Sequence, residues 1–208
     1  NGKGELLPLV VEDFKNGPAK PASYIGKVVT CLHERFANDE LPVAMVSMDN
    51  CSHNGDKLYA AVNEFAKEWE NRGVCKPGFL AYVNNPSKVS FPWSMIDKIT
   101  PRPDAKIEKI LKDDGIEQLE PVITSKNTYV APFVNAEECE YLVIEDAFPN
   151  GRHEALAKGG LMFTERETVD KVEKMKVCTC LNPLHTTLAV FGCLLGYELI
   201  STEMKDEE

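Results

Sequence analysis

Two stretches concentrate side chains that can move protons or steady a developing negative charge. The first is Ser47–Gly55, Ser-Met-Asp-Asn-Cys-Ser-His-Asn-Gly, which gathers Asp49, Asn50, His53 and Asn54 in one short segment. The same residue types also form turns and helix caps, and Asn54-Gly55 is a common turn pair. The second is Lys176, Asn182 and His185. A lysine desolvated by helical packing holds its proton less tightly and can act as a general base near neutral pH. An amide side chain can donate to an oxygen on which negative charge builds. Together these groups suit oxidation of an alcohol, although a lysine on an amphipathic helix is more often simply solvated. A rival reading makes Cys178, Cys180 and His185 metal ligands, completed by Cys193 or Cys139. Cys-x-Cys with a single His lacks the paired spacing of structural zinc sites, so no metal is expected.

The elements around these stretches alternate in type. Pro21 to Phe36 carries Ile25, Val28, Val29, Leu32 and Phe36 at helical spacing, with Pro21 suited to a first turn. Pro42 to Met48 is a short apolar run of the buried-strand kind, and Asp56 to Glu70 puts Leu58, Ala61, Val62, Phe65 and Trp69 on one helical stripe. Helix, strand, polar turn and helix in that order predict an α/β layer, in which ligands bind at the carboxyl ends of strands. Asp49 to Gly55 falls at such an end. Further on, the pattern predicts helices over Gly78–Val83 and Ala105–Leu111, strands over Thr128–Val134 and Tyr141–Ile144, and a turn at Pro149-Asn150-Gly151. From Thr168 the chain reads as helical, interrupted by Pro183 and restarting at Leu184, with a domain boundary near Glu167 that divides 1–167 from 168–208. No Gly-x-Gly-x-x-Gly unit occurs between a strand and a helix, so a complete dinucleotide cradle is not expected in this chain.

A chain of 208 residues, 43% hydrophobic, is long enough to bury a real core. A net charge of −10 argues against nucleic acid, whose phosphates need clustered Lys and Arg. Seven scattered cysteines predict a reducing, cytoplasmic setting. The opening Asn1-Gly2-Lys3-Gly4 lacks the pattern of a signal peptide, and Leu188 to Leu195 is too short to span a bilayer, which predicts a soluble protein. A small molecule is the expected partner. The alternative is a non-catalytic module that binds metal or protein through the Cys178 to Cys193 region.

Four segments taken in order resemble successive motifs of the mannitol dehydrogenase family: Met45 to Gly55, Phe91 to Pro101 (Phe-Pro-Trp-Ser-Met-Ile-Asp-Lys-Ile-Thr-Pro), Leu142 to Arg152 (Leu-Val-Ile-Glu-Asp-Ala-Phe-Pro-Asn-Gly-Arg) and Lys176 to Gly196. The resemblance implies an α/β fold, the later part of a Rossmann-type domain leading into a mostly helical substrate domain. It implies a metal-independent oxidoreductase that moves hydride between NAD or NADP and an open-chain polyol or sugar acid, such as mannitol and fructose or mannonate and fructuronate. Because the family's glycine-rich loop precedes this stretch and the rest of its helical domain follows, the chain reads as a fragment with little activity of its own.

By the same resemblance Lys176 is the general base, Asn50 and Asn182 are the oxyanion donors, and Glu173 helps relay the proton to solvent. His185, Asp97 and Arg152 contact substrate, while Asp49 and Asn50 lie beside the cofactor. The chain departs from the family in that Lys176 to Asn182 is one residue longer than usual, which keeps Lys174 in view as an alternative base. Pro183 predicts a helix break between lysine and asparagine that absorbs the extra residue.

Overall fold

The computed structural model describes residues 5–136 and 142–207. Two compact units emerge, one formed by Asn1–Ile96 with Leu142–Glu208 and the other by Asp97–Tyr141.

The larger unit begins with α1 (Pro8–Asn16), a 3-10 turn (Gly17–Ala19) and α2 (Tyr24–Ala37). Their junction is built on Asp13, whose fully buried carboxylate accepts from the Ala22 and Ser23 amides at 2.6 and 2.9 Å and from Ser23 Oγ at 2.5 Å. Ser23 in turn caps α2 by accepting the Gly26 amide at 3.0 Å, the role its residue type favours. The cap puts Pro21 ahead of the helix, not in its first turn as the sequence suggested. Burial works against the Asp13 charge, yet these donors outweigh it and hold the carboxyl below its ordinary value.

After β1 (Val43–Ala44) come α3 (Asn54–Asn71), α4 (Phe79–Val83) and β2 (Val89–Ser90), which pairs parallel to β1. The anticipated stripes form the core: Val29, Leu32 and Phe36 of α2 meet Val62, Phe65 and Trp69 of α3, with Phe79 and Tyr82 of α4 closing over them. Each such aromatic or aliphatic side chain contributes about 1.5–3 kcal/mol on burial. The strand expected over Pro42 to Met48 is far shorter as a ladder. Its backbone is diverted, because the Ser47 carbonyl accepts from two side chains, Ser94 Oγ at 2.6 Å and the Asn54 side-chain amide at 3.2 Å.

β3 (Ser94–Met95) leads to the second unit. This unit holds α5 (Ala105–Asp113), capped by Asp104, and an antiparallel hairpin of β4 (Val122–Ile123) and β5 (Tyr129–Val130), whose turn has Asn127 at φ 58°. Only Tyr129–Val130 of the strand predicted over Thr128–Val134 is paired.

The chain re-enters the larger unit with β6 (Val143–Glu145), antiparallel to β3 and parallel to β7 (Met162–Thr164), with α6 (Glu154–Lys158) between them. Tyr141, the expected start of the β6 strand, and Cys139 lie outside the described residues, as do Gly2 and Gly4. The turn foreseen at Pro149-Asn150-Gly151 forms, with Gly151 at φ 71°.

The last long helix corrects the sequence reading. α7 (Arg166–Val172), a π-helical segment (Glu173–Leu181) and α8 (Asn182–Leu195) run on without a break, followed by α9 (Ile200–Glu203). The Asn182 amide donates to the Val177 carbonyl five residues back, and Thr179 Oγ1 donates to the Lys174 carbonyl at 2.8 Å. The helix passes through a widened turn and does not break at Pro183. Because it is continuous, Arg166–Leu195 is also long and apolar enough to cross a membrane by length and composition alone, which a reading of Leu188 to Leu195 in isolation did not show. Val169 of α7 packs on Met95 and Val143 in a second small core.

Candidate functional site

The loop after β1 is held in a definite shape. The Cys51 amide donates to the Asp49 carbonyl at 2.9 Å, closing a three-residue turn about Asn50, and the Asp49 amide donates to Ser47 Oγ at 3.3 Å. Asp49 and Asn50 are exposed on this turn. His53 follows in the left-handed region at φ 53°, and α3 starts at once. Asn54 and Gly55, read from sequence as a turn pair, are instead the buried first residues of that helix. Gly55 is needed there because a Cβ would stand 2.4 Å from the Phe91 carbonyl oxygen and 2.8 Å from the Trp93 ring.

This loop meets the helix that begins at Arg166. Ser52 Oγ donates to Glu173 Oε1 at 2.5 Å, and His53 Nε2 lies 3.0 Å from Asp170 Oδ1. The His53 ring stacks on Trp93 at 4.0 Å between centroids, and the Arg166 guanidinium sits 4.9 Å from the centre of the same indole. Trp93 Nε1 donates to Asp56 at 2.9 Å, while Arg166 Nε reaches both Glu145 oxygens at 3.0 Å. Ser52 on Glu173 and His53 on Asp170 thus join the loop after β1 to the helix that carries Glu173, Lys174 and Lys176, and Trp93 contacts both His53 and Arg166 of the same helix.

The two candidate lysines differ in surroundings. Lys174 is exposed and paired with Asp170 at 2.5 Å. That hydrogen bond raises the lysine pKa and holds Asp170 low, with His53 adding to the second effect. Lys174 therefore keeps its proton more firmly than a free lysine, the reverse of what a base needs. Lys176 is half-buried, two positions further along the π-helical segment.

Asn182 opens α8 and His185 follows within its first turn, both exposed. Arg152 is committed to the protein: its Nε and Nη2 donate to the two oxygens of Asp146 at 2.8 and 2.9 Å, and its guanidinium lies 4.0 Å from the centre of the Phe163 ring. The Arg152 hydrogen bond holds the Asp146 carboxyl below its ordinary range. Asp97 is the first residue of the second unit. Among the described residues no three His, Cys, Asp or Glu side chains converge as metal ligands; of the rival set Cys178, Cys180, His185 and Cys193 or Cys139, the last lies outside those residues. An open cleft of about 830 Å³ runs beside the Trp93 cluster, lined in part by Asp56, Tyr59, Phe91, Glu145, Phe148 and Arg166.

Sequence reasoning named Asn50 and the lysines as candidates and did not foresee Asp170, Trp93 and Arg166, which join the loop after β1 and the Trp93 segment to the helix. The spacing of Asp170 and Lys174, four residues apart on a helix, was the available clue for one contact.

Comparisons with known proteins agree with the motif order. The profile of the mannitol dehydrogenase Rossmann domain matches residues 10–155. A D-mannonate oxidoreductase of Thermotoga maritima is 53% identical over 98% of this chain, and a polyol:NADP oxidoreductase of Gluconobacter oxydans is 30% identical over 96%. The chain spans 38% and 36% of those relatives' lengths. Among solved structures, a substrate-free D-sorbitol dehydrogenase superposes with a TM-score of 0.71 at 28% identity, covering 97% of this chain and 37% of its own. Mannitol 2-dehydrogenase of Pseudomonas fluorescens, in a ternary complex with NAD and D-mannitol, gives 0.58 at 28% identity over 92% of this chain and 34% of its own. With the four motifs in order, the Rossmann-type fold and a profile that matches most of the sequence, the chain belongs to the mannitol dehydrogenase family.

Proposed function

We propose that this chain carries the proton-handling side of an oxidoreductase that interconverts a sugar acid, D-mannonate first among candidates, with its keto form, using NAD or NADP. The observation that carries this reading is the fastening of the Asp49–Asn50 turn to the Glu173–Lys176 stretch through Ser52 and His53. The choice of mannonate over mannitol leans on the 53% identity to the Thermotoga D-mannonate oxidoreductase.

In this reading Lys176 takes the proton from the substrate hydroxyl as the neighbouring carbon loses hydride. Asn50 and Asn182 donate from their amides to the oxygen as it becomes a carbonyl, where preorganised donors are most effective. Glu173, bonded to Ser52, passes the proton from the lysine toward solvent. His185 holds a substrate hydroxyl. Arg152 contributes by fixing the Asp146 loop, and reaches substrate only by leaving Asp146.

A nicotinamide cofactor, when bound, supplies the hydride acceptor. The residues present fit it at one end: the exposed Asp49–Asn50 turn stands beyond the carboxyl end of β1, the edge of a parallel pair where nucleotides bind. No Gly-x-Gly-x-x-Gly unit occurs in these residues to cradle the pyrophosphate. We take the helix from Arg166 onward as the start of the substrate-side domain, near the boundary proposed at Glu167. Six described cysteines are free thiols, which supports a reducing cytoplasmic setting.

The test is NADH and NADPH oxidation by the full-length protein against fructuronate, tagaturonate and fructose in parallel. Turnover of fructuronate is expected. Turnover of fructose alone would replace the sugar-acid reading by a polyol one, and none with any of them would reject the activity.

A further inference from the structure

We infer that Asn54, with Ser94 beside it, is a positioning residue for Asn50, and so for the oxyanion site. The inference rests on the role proposed for Asn50.

Asn54 is 2% exposed, at the first position of α3, and its side chain is saturated. Its Nδ2 faces the Asp49 carbonyl at 3.0 Å, the Ser47 carbonyl at 3.2 Å, the Ser94 carbonyl at 3.0 Å and Ser94 Oγ at 2.9 Å. Its Oδ1 accepts the Ser94 amide at 3.0 Å. Ser94 Oγ itself donates to the Ser47 carbonyl at 2.6 Å. One buried amide therefore joins three backbone segments: the strand exit at Ser47, the peptide that links Asp49 to Asn50, and β3.

The Asp49 carbonyl belongs to the same peptide group as the Asn50 amide nitrogen, and it also accepts from Cys51. Fixing that oxygen from two sides sets the peptide plane on which Asn50 is mounted. Asn50 itself is exposed, so burial of its own side chain does not fix it, and the turn beneath it holds its backbone. A donor to a developing oxyanion must be held within a fraction of an ångström, and the groups that hold it are themselves locked by packing and hydrogen bonds. Asn54 meets that description. A turn-forming or helix-capping role alone would not need the contacts to β3, forty positions away in sequence.

Aspartate in place of Asn54 has the same shape but, when ionised, presents oxygens to three carbonyl oxygens, loses the bonds to Ser47, Asp49 and the Ser94 carbonyl, and keeps only what the Ser94 amide and hydroxyl can donate. The experiment is a kinetic double-mutant cycle in the full-length enzyme, with Asn50→Ala, Asn54→Asp, Ser94→Ala and the two combinations that include Asn50→Ala. Asn54→Asp should lower kcat roughly tenfold or more with KM changed less than about threefold, and Ser94→Ala should do so more weakly. Both losses should vanish in the Asn50→Ala background, since a misaligned donor that is no longer present costs nothing. A merely structural role would leave the losses additive. If Asn54→Asp does not fold, Ser94→Ala carries the same comparison. Asn50→Ala without effect on kcat overturns the Asn50 reading and this inference with it. A large Asn50→Ala effect with additive losses from Asn54 and Ser94 overturns this inference alone.

Discussion

His53 Nε2 and Asp170 Oδ1 stand 3.0 Å apart, although 117 positions of sequence separate the two residues. With Ser52 on Glu173, this contact holds the loop that bears Asn50 against the helix that bears the lysines. Breaking it should loosen the site without unfolding the protein, because both partners lie at the surface and His53 keeps its stack on Trp93. Asp170→Asn in the full-length enzyme should lower kcat about fivefold while Tm hardly moves. Unchanged kcat would show that the contact does not position the reacting groups.

The two lysines separate cleanly by kinetics. Lys176→Ala should reduce single-turnover hydride transfer by about a hundredfold or more, the usual effect of removing a general base. Lys174→Ala should leave it within about threefold, since the salt bridge to Asp170 keeps that ammonium charged. The opposite ranking would move the base to Lys174.

Gly55→Ala addresses packing. The added methyl collides with the Phe91 and Pro92 carbonyl oxygens at 2.4 and 2.9 Å, and backbone of this kind cannot swing aside. We expect a loss of about 1–3 kcal/mol or more in equilibrium unfolding, as for other overpacked interiors. A loss well under that range would mean that α3 can slide away from the Phe91–Trp93 segment.

His33 gives the fold a pH dependence of known sign. Its ring lies among Phe36, Trp69 and Phe79, and burial, helped by the Lys76 charge and opposed by Glu34, lowers its pKa from the ordinary 6.5. The folded state favours the neutral ring, so this contribution is fully present above pH 6.5 and is lost as pH falls through the lowered pKa. Denaturant midpoints should therefore drop between pH 7.5 and 5.5. His33→Phe should flatten that part of the slope.

Much of this was readable in advance, for physical reasons that differ by element. The apolar stripe from Val62 to Trp69 placed α3 because helical periodicity depends only on local spacing. The strands around Val43 and Tyr129 were overdrawn, since apolar runs reveal where a ladder can start but not which backbone groups side chains such as Asn54 and Ser94 will claim. Pro183 misled for a similar reason. Proline predicts a missing donor, and the chain met that loss with a wider turn upstream instead of a break. Within the candidate site, Asn50 and Lys176 were proposed from the order of motifs, whereas the contacts of Asp170, Trp93 and Arg166 were not foreseen, because residues of such different position in the chain meet only through the fold.

The two tryptophans of the chain occupy different worlds. Trp69 is fully buried, its indole nitrogen bonded to the Asp13 carbonyl at 2.9 Å, while Trp93 is only partly buried, between His53 and Arg166. Intrinsic fluorescence from this protein therefore carries two independent channels, one reporting the integrity of the helical core and the other the state of the loop beside the proposed chemistry. With Trp69→Phe in place, the remaining emission becomes an optical gauge of that loop, sensitive to loss of the His53 stack and to any ligand that disturbs it.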